Sequence, residues 1–234
     1  MHTQINITES GTTTLATAGK YCDRNIDVNV NVEDSGADVF AGLVQGTIEG
    51  AYVNDKITSL RPYAFAVCDY LTSISLPNCT TFTFLEADYG CYFRNADSLK
   101  TIDIPNLTTI ENGARCFNWC KSLKEFDAPN LTSVTNTSTM FSYCTSIRKI
   151  NLPKLGGTTL SANTFPNCYN LEELILGGNE LNPLANVNAF SNTGSNVIGG
   201  FKVYVPDDLV ESYRTATNWS NFADQIKPIS ELEE

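Results

Sequence analysis

The stretch Phe117-Asn118-Trp119-Cys120-Lys121-Ser122-Leu123-Lys124-Glu125-Phe126-Asp127-Ala128-Pro129 returns 24 residues later as Phe141, Cys144, Ile147, Ile150, Leu152 and Pro153. It occurs earlier as Phe93, Ala96, Leu99, Ile102, Ile104 and Pro105, and before that as Phe65, Cys68, Leu71, Ile74, Leu76 and Pro77. A last copy reads Phe165, Cys168, Leu171, Leu174 and Leu176, with Gly177 in the place of proline. Apolar residues recurring in fixed slots at a fixed period of this size are the signature of a stacked solenoid. In each unit the Phe and the Cys or Ala three residues on fit a short turn or helical segment. The apolar pair that follows, such as Ile102 and Ile104, has the spacing of two that marks a strand. The proline ends that strand because it cannot donate to a ladder. Each coil is therefore expected to lay one short strand into a parallel sheet, with a looser segment returning on the opposite side. The fold class is a repeat solenoid, α/β-like in connectivity and mostly β.

The flanks differ from the repeats. Ile26-Asp27-Val28-Asn29-Val30-Asn31-Val32 alternates apolar and polar, as does Ile5-Asn6-Ile7-Thr8, so residues 1–35 read as a small strand-rich module with Asp34-Ser35-Gly36 as its exit. Residues 36–206 form the solenoid, opening on a less regular coil with Phe40, Leu43, Val44, Ile48 and Tyr52. Two irregularities, around Phe84 to Gly90 and at Asn192-Thr193-Gly194-Ser195-Asn196, are expected surface loops. Residues 207–234 read as a cap. Asp208 and Glu211 have capping-box spacing, and Leu209, Tyr213, Ala216, Trp219, Phe222 and Ile226 recur at helical steps, with Asn218 expected to break the helix near Trp219.

Composition excludes several functions. Fifteen basic residues against 26 acidic give a net charge of −11, and no basic cluster exists to neutralise nucleic acid phosphates or to hold an anionic membrane. No apolar run reaches the ~20 residues of a membrane span, so no membrane insertion is expected. Met1 to Ser10 has neither a basic n-region nor an apolar h-region, so the sequence identifies no export route. A single histidine, His2, rules out Ser-His-Asp and Cys-His mechanisms and multi-histidine metal sites. No cofactor and no catalysis are expected.

The repeated unit Ala64-Phe65-x-x-Cys68-x-x-Leu71-x-x-Ile74-x-Leu76-Pro77 resembles the BspA-type leucine-rich repeat of bacterial surface proteins. The ending Val203-Tyr204-Val205-Pro206-Asp207-Asp208-Leu209, with Tyr213 and Asn218-Trp219, resembles the ends of such proteins in gut Firmicutes. The opening Thr8-Glu9-Ser10-Gly11-Thr12, with Gly19-Lys20-Tyr21-Cys22, looks like a module found ahead of these repeats, often in prophage-encoded proteins. The resemblance implies a right-handed solenoid with a binding role, adhesion to host or bacterial surfaces, and a cell-surface, extracellular or virion-associated location. The alternative it leaves open is a structural part of a phage tail or appendage, docked through the amino-terminal module.

Eight cysteines would suit a disulfide framework, but the spacing of most follows the repeat, so buried free thiols are expected instead. Cys68, Cys120, Cys144 and Cys168 share a slot with Ala96, which makes it a packing position for free thiols. The candidate contact surface is the outward side of the strands. One expected column is Ser73, Thr101, Glu125, Lys149 and Glu173; the other is Ser75, Asp103, Asp127, Asn151 and Ile175, ending at Tyr204. Ser75, Asp103, Asp127, Asn151, Glu125, Lys149 and Tyr204 are the candidate contacts for a protein or glycan partner. Asp103 and Asp127 fall one rung apart, which repels unless the charges are solvated or bridged by a cation.

Overall fold

A computed structural model describes residues 58–60, 62, 64–66, 68, 71–84 and 90–232, together with the backbone of three strands at 3–7, 25–30 and 50–53. These three are β1 (Thr3–Ile7), β2 (Asn25–Val30) and β3 (Gly50–Val53). They pair in parallel, β1 with β2 and β2 with β3. The same sheet continues through β5 (Ser73–Ser75) to β7 (Thr101–Asp103). A second run of parallel strands then stacks β9 (Glu125–Asp127), β11 (Lys149–Leu152), β12 (Glu173–Leu176), β13 (Lys202–Val205) and β14 (Ile226–Pro228). The register is the repeat itself: Lys149 lies beside Glu125 and Glu173, and Asn151 beside Asp127 and Ile175.

The returning side is more ordered than expected. Four two-residue strands, β4 (Ser59–Leu60), β6 (Thr81–Phe82), β8 (Thr109–Ile110) and β10 (Ser133–Val134), form a second parallel ladder, and farther along the chain a separate bridge pairs Leu160 with Leu184. Threonine side chains reinforce this ladder. Thr80, Thr108 and Thr132 each donate Oγ1–H to the carbonyl of the equivalent residue one coil back, at 3.2, 3.0 and 3.2 Å. At the adjoining corner, the Asn106 and Asn130 amides donate to the carbonyls of Pro77 and Pro105.

Between the two ladders runs a column of phenylalanines. Phe65, Phe93, Phe117, Phe141, Phe165 and Phe190 stack at successive centroid distances of 5.5, 5.3, 5.4, 5.8 and 5.2 Å, each within 9° of parallel. Every ring in the column is buried. The backbone repeats with them: the N–H groups of Phe65, Phe93, Phe117, Phe141 and Phe165 each donate 2.9 Å bonds to a carbonyl of the next coil. Equivalent residues therefore share both surroundings and hydrogen bonds, as stacked coils with one common core require.

The cysteine slot does more than fill space. The thiols of Cys120, Cys144 and Cys168 donate at 3.1 Å to the carbonyls of Phe93, Phe117 and Phe141 one coil back. In the next coil Thr193 performs the same role, its hydroxyl reaching the Phe165 carbonyl at 2.8 Å. A small, weakly polar donor suits a buried slot that faces a carbonyl. All seven described cysteines are buried, and none is in a disulfide. Gly177 replaces proline because the coils touch there: a Cβ would lie 2.6 Å from the Pro153 carbonyl oxygen.

Another slot carries unusual backbone. Asn95, Trp119, Tyr143, Asn167 and Asn192 all have φ between 58 and 65°, the left-handed region. Asparagine enters it readily, whereas a bulky residue there is an outlier, at a cost of roughly 1–2 kcal/mol. Trp119 and Tyr143 are those outliers.

The carboxyl end closes the core, though not as one long helix. A 3-10 turn at Asp207–Leu209 leads into α1 (Val210–Thr215), after which Ala216 is extended and Asn218 takes φ 65°. Trp219–Gln225 is a 3-10 segment, and Ile226 then enters β14, which pairs with β13. The expected single stripe is thus broken after its second residue past Leu209, because Asn218 turns the chain back to supply one more strand. The capping box is also not formed: neither the 3-10 turn nor α1 has a side-chain cap. Asp207 instead interacts with Ser230, whose hydroxyl first and whose N–H at 3.2 Å second hold the Asp207 carboxyl below the usual range. Covering is done by Tyr213 and Trp219, both fully buried. Trp219 Nε1 donates to the Asn182 carbonyl at 2.7 Å, and the Tyr213 hydroxyl accepts from the Asn182 backbone and amide nitrogens.

Candidate functional site

Strand alternation sets the outward surface. In β7 and β9 the middle residue turns inward, in β11 Ile150 and Leu152 do, and their neighbours on each strand point to solvent. Thr101, Asp103, Glu125 and Asp127 are exposed, while Ser75, Lys149, Asn151, Glu173 and Tyr204 are half-buried. Ile175 departs from the expected column: it is buried, lying beside Asn151 and Tyr204 in register.

The two carboxylates expected to face one another are drawn apart. Asp103 accepts from the Ser75 hydroxyl at 2.8 Å, and Asp127 from the Asn151 amide at 2.9 Å, so each is tied to its neighbour on the far side. The ladder is also interrupted at this point, with one sheet ending at β7 and the other at β9. A long Lys124 N–H to Lys100 carbonyl bond of 3.5 Å bridges the gap. Like charges directly opposite across strands are destabilising, and here the side chains diverge while the strands loosen. No group of three or more metal-ligating side chains exists among the described residues.

The second column pairs charges. Glu125, Lys149, Glu173 and Lys202 alternate in sign along the register, with Lys149 Nζ 3.0 Å from Glu173. Immediately before the strands stand Lys100, Lys124, Arg148 and Glu172, where Arg148 bonds Glu172 through both Nε and Nη2. The face is therefore polar and charge-balanced. Five described thiols are unavailable as nucleophiles: burial pushes Cys79 and Cys168 up to about 12, and Cys116, Cys120 and Cys144 well above the ordinary range. On the opposite ladder a shallow groove of about 700 Å³ runs past Thr80, Thr108 and Thr132, whose hydroxyl donors are already used within the ladder.

The architecture is that of a leucine-rich repeat solenoid presenting a parallel sheet face. A family model described as the BspA type leucine rich repeat region matches residues 2–112 and 90–199, in six copies. The chain belongs to that family. The crystal structure of a leucine-rich repeat protein of T. pallidum is similar at 17% sequence identity and a TM-score of 0.37, over 70% of this chain and 60% of that one. The chain thus spans about 60% of the length of that protein. No curated protein matches it. No helix among the described residues is long and apolar enough to cross a membrane.

Proposed function

We propose that the chain is a non-catalytic binding module of the adhesive kind, working at a cell surface and engaging a protein or glycan partner through its strand face. Support comes first from the family, whose repeats are generally protein-binding and adhesion modules. The single observation that carries the reading is the recurrence of polar side chains in register on successive coils, with Ser75 and Asp103 on one side of the β7–β9 gap, Asp127, Asn151, Glu125 and Lys149 on the other, and Tyr204 beyond the buried Ile175. A regular sheet of this kind offers many weak polar contacts rather than one deep pocket, which suits an extended partner. The triple variant of Asp103, Asp127 and Asn151 to alanine tests it. Among the described residues these side chains bond to one another or to Ser75 on the surface, so the fold is expected to be retained. Binding to immobilised matrix proteins, glycans or whole cells is expected to be lost, and unchanged binding removes the strand face as the contact surface.

A further inference from the structure

At the turn that leads into the strands, the left-handed slot forms a second column along the solenoid. Asparagine occupies it at Asn95, Asn167 and Asn192, while Trp119 and Tyr143 fill the two coils between. Their rings stack face to face, with centroids 4.2 Å apart and planes within 11°. Trp119 is 37% exposed, one of only four large hydrophobic side chains so exposed among the described residues. The rings pack on one another, but burial in the core does not explain why two aromatic residues occupy a backbone that favours asparagine. Backbone outliers held at the surface in this way point to a functional use.

The two ends of this ring pair differ. The ammonium of Lys121 sits 4.9 Å from the Trp119 ring centroid and is held at 2.6 Å by Asp97. On the other side the column drops to Asn167. A tyrosine ring reaches well beyond an asparagine amide from an equivalent backbone position, so the surface has a step there: the Tyr143 ring as wall, amides as floor. Asn192 Nδ2 donates to Asn167 Oδ1 at 2.9 Å, which ties the floor together. The Asn167 Nδ2 hydrogens and the Asn192 Oδ1 lone pairs remain for another molecule.

We propose that this step binds a neutral pyranose of a glycan. The axial C–H bonds on one face of a pyranose carry slight positive charge and match the negative face of the Tyr143 ring. Its equatorial hydroxyls then meet the amide donors and acceptor of Asn167 and Asn192. The size of the apolar area decides for a sugar over a protein: two rings bordered by amides and an ion pair fall far short of the surface a stable protein interface needs. The net charge of −11 disfavours an acidic sugar. This site lies at the turn rather than on the strands, so it stands apart from the strand-face reading.

The test is saturation-transfer NMR with the whole chain and three probes: methyl β-D-glucopyranoside, methyl β-D-galactopyranoside and triacetylchitotriose, each at millimolar concentration. At least one probe is expected to bind, with transfer strongest to its ring C–H protons. Tyr143→Asn restores the residue the slot favours, so its melting temperature should not fall, while affinity drops about tenfold or more with the loss of the ring contact. Tyr143→Phe keeps the ring and should keep binding. The strand-face triple alanine variant should bind the sugar as the parent does. No binding by any probe, binding unaltered in Tyr143→Asn, or Tyr143-dependent capture of a protein without sugar binding would each overturn the proposal.

Discussion

Replacing Phe117 by alanine probes the stacked core at its centre. The ring is fully buried, lies between Phe93 at 5.3 Å and Phe141 at 5.4 Å, and meets Phe126 at 4.8 Å. A buried Phe→Ala change costs about 3–5 kcal/mol. The two stacked partners and the tilted one place this site at the upper end, since each aromatic pair adds about 0.5–1.5 kcal/mol beyond area. Against a total stability of about 5–15 kcal/mol for a domain, this is a large fraction. Coils contact only their neighbours, so the damage is local in origin. Urea unfolding should show the loss, and the transition should broaden or split as the blocks on either side uncouple. Hydrogen exchange should accelerate most in the coils of Phe93, Phe117 and Phe141. A loss below about 1 kcal/mol, far under the usual Phe→Ala range, or exchange changes confined to α1 and β14, would refute a continuous shared column.

Cys144→Ala should destabilise by about 1–2 kcal/mol through a lost donor and a small void, whereas Cys144→Thr should recover part of that, as Thr193 does in the same role; thermal melts of both decide. Gly177→Ala should cost about 1–3 kcal/mol because its Cβ meets the Pro153 carbonyl, read by chemical denaturation. Arg148→Ala should leave the melting temperature essentially unchanged, since its ion pair with Glu172 lies at the surface and is screened by water. The buried thiols give an alkaline limit. Their folded pKa values lie above the ordinary 9.0, so the unfolded chain ionises first: their contribution is full below pH 9 and is lost as the pH rises towards 12. Melting temperature against pH, together with thiol titration that finds the seven described thiols unreactive natively and reactive in denaturant, checks both points.

The sequence carries the solenoid because its signal repeats: a phenylalanine every 24 residues and an apolar pair at spacing two leave little freedom in how coils stack. Signals carried by a single apolar residue in a very short strand, or arising only in three dimensions, do not show. β6, β8 and β10 are two residues long with one apolar side chain each, too short for alternation to register. The cysteine slot looks like packing because a bond from Cys120 to Phe93 spans 27 residues. The cap misleads because helical spacing from Leu209 to Ile226 is real, yet Asn218 breaks the run and Ile226 finds a strand to pair with. Outward alternation identifies Asp103, Asp127 and Glu125 as exposed and fails only at Ile175. That Asp103 and Asp127 turn to opposite neighbours follows from Ser75 and Asn151, polar partners whose distance the sequence does not state. The aromatic step was equally hidden, since nothing in Trp119 or Tyr143 announces a positive φ.

The gap between β7 and β9 has a mechanical consequence. It affects one wall of the tube only: β8 and β10 stay paired opposite it, and Phe93 still rests on Phe117. At that rung the coils are held by one ladder and the core, where the preceding rung is held by two ladders and the core. Bending that spreads Asp103 from Asp127 meets less resistance than at that preceding rung, so pulling on a tethered molecule bends this rung before the one ahead of it.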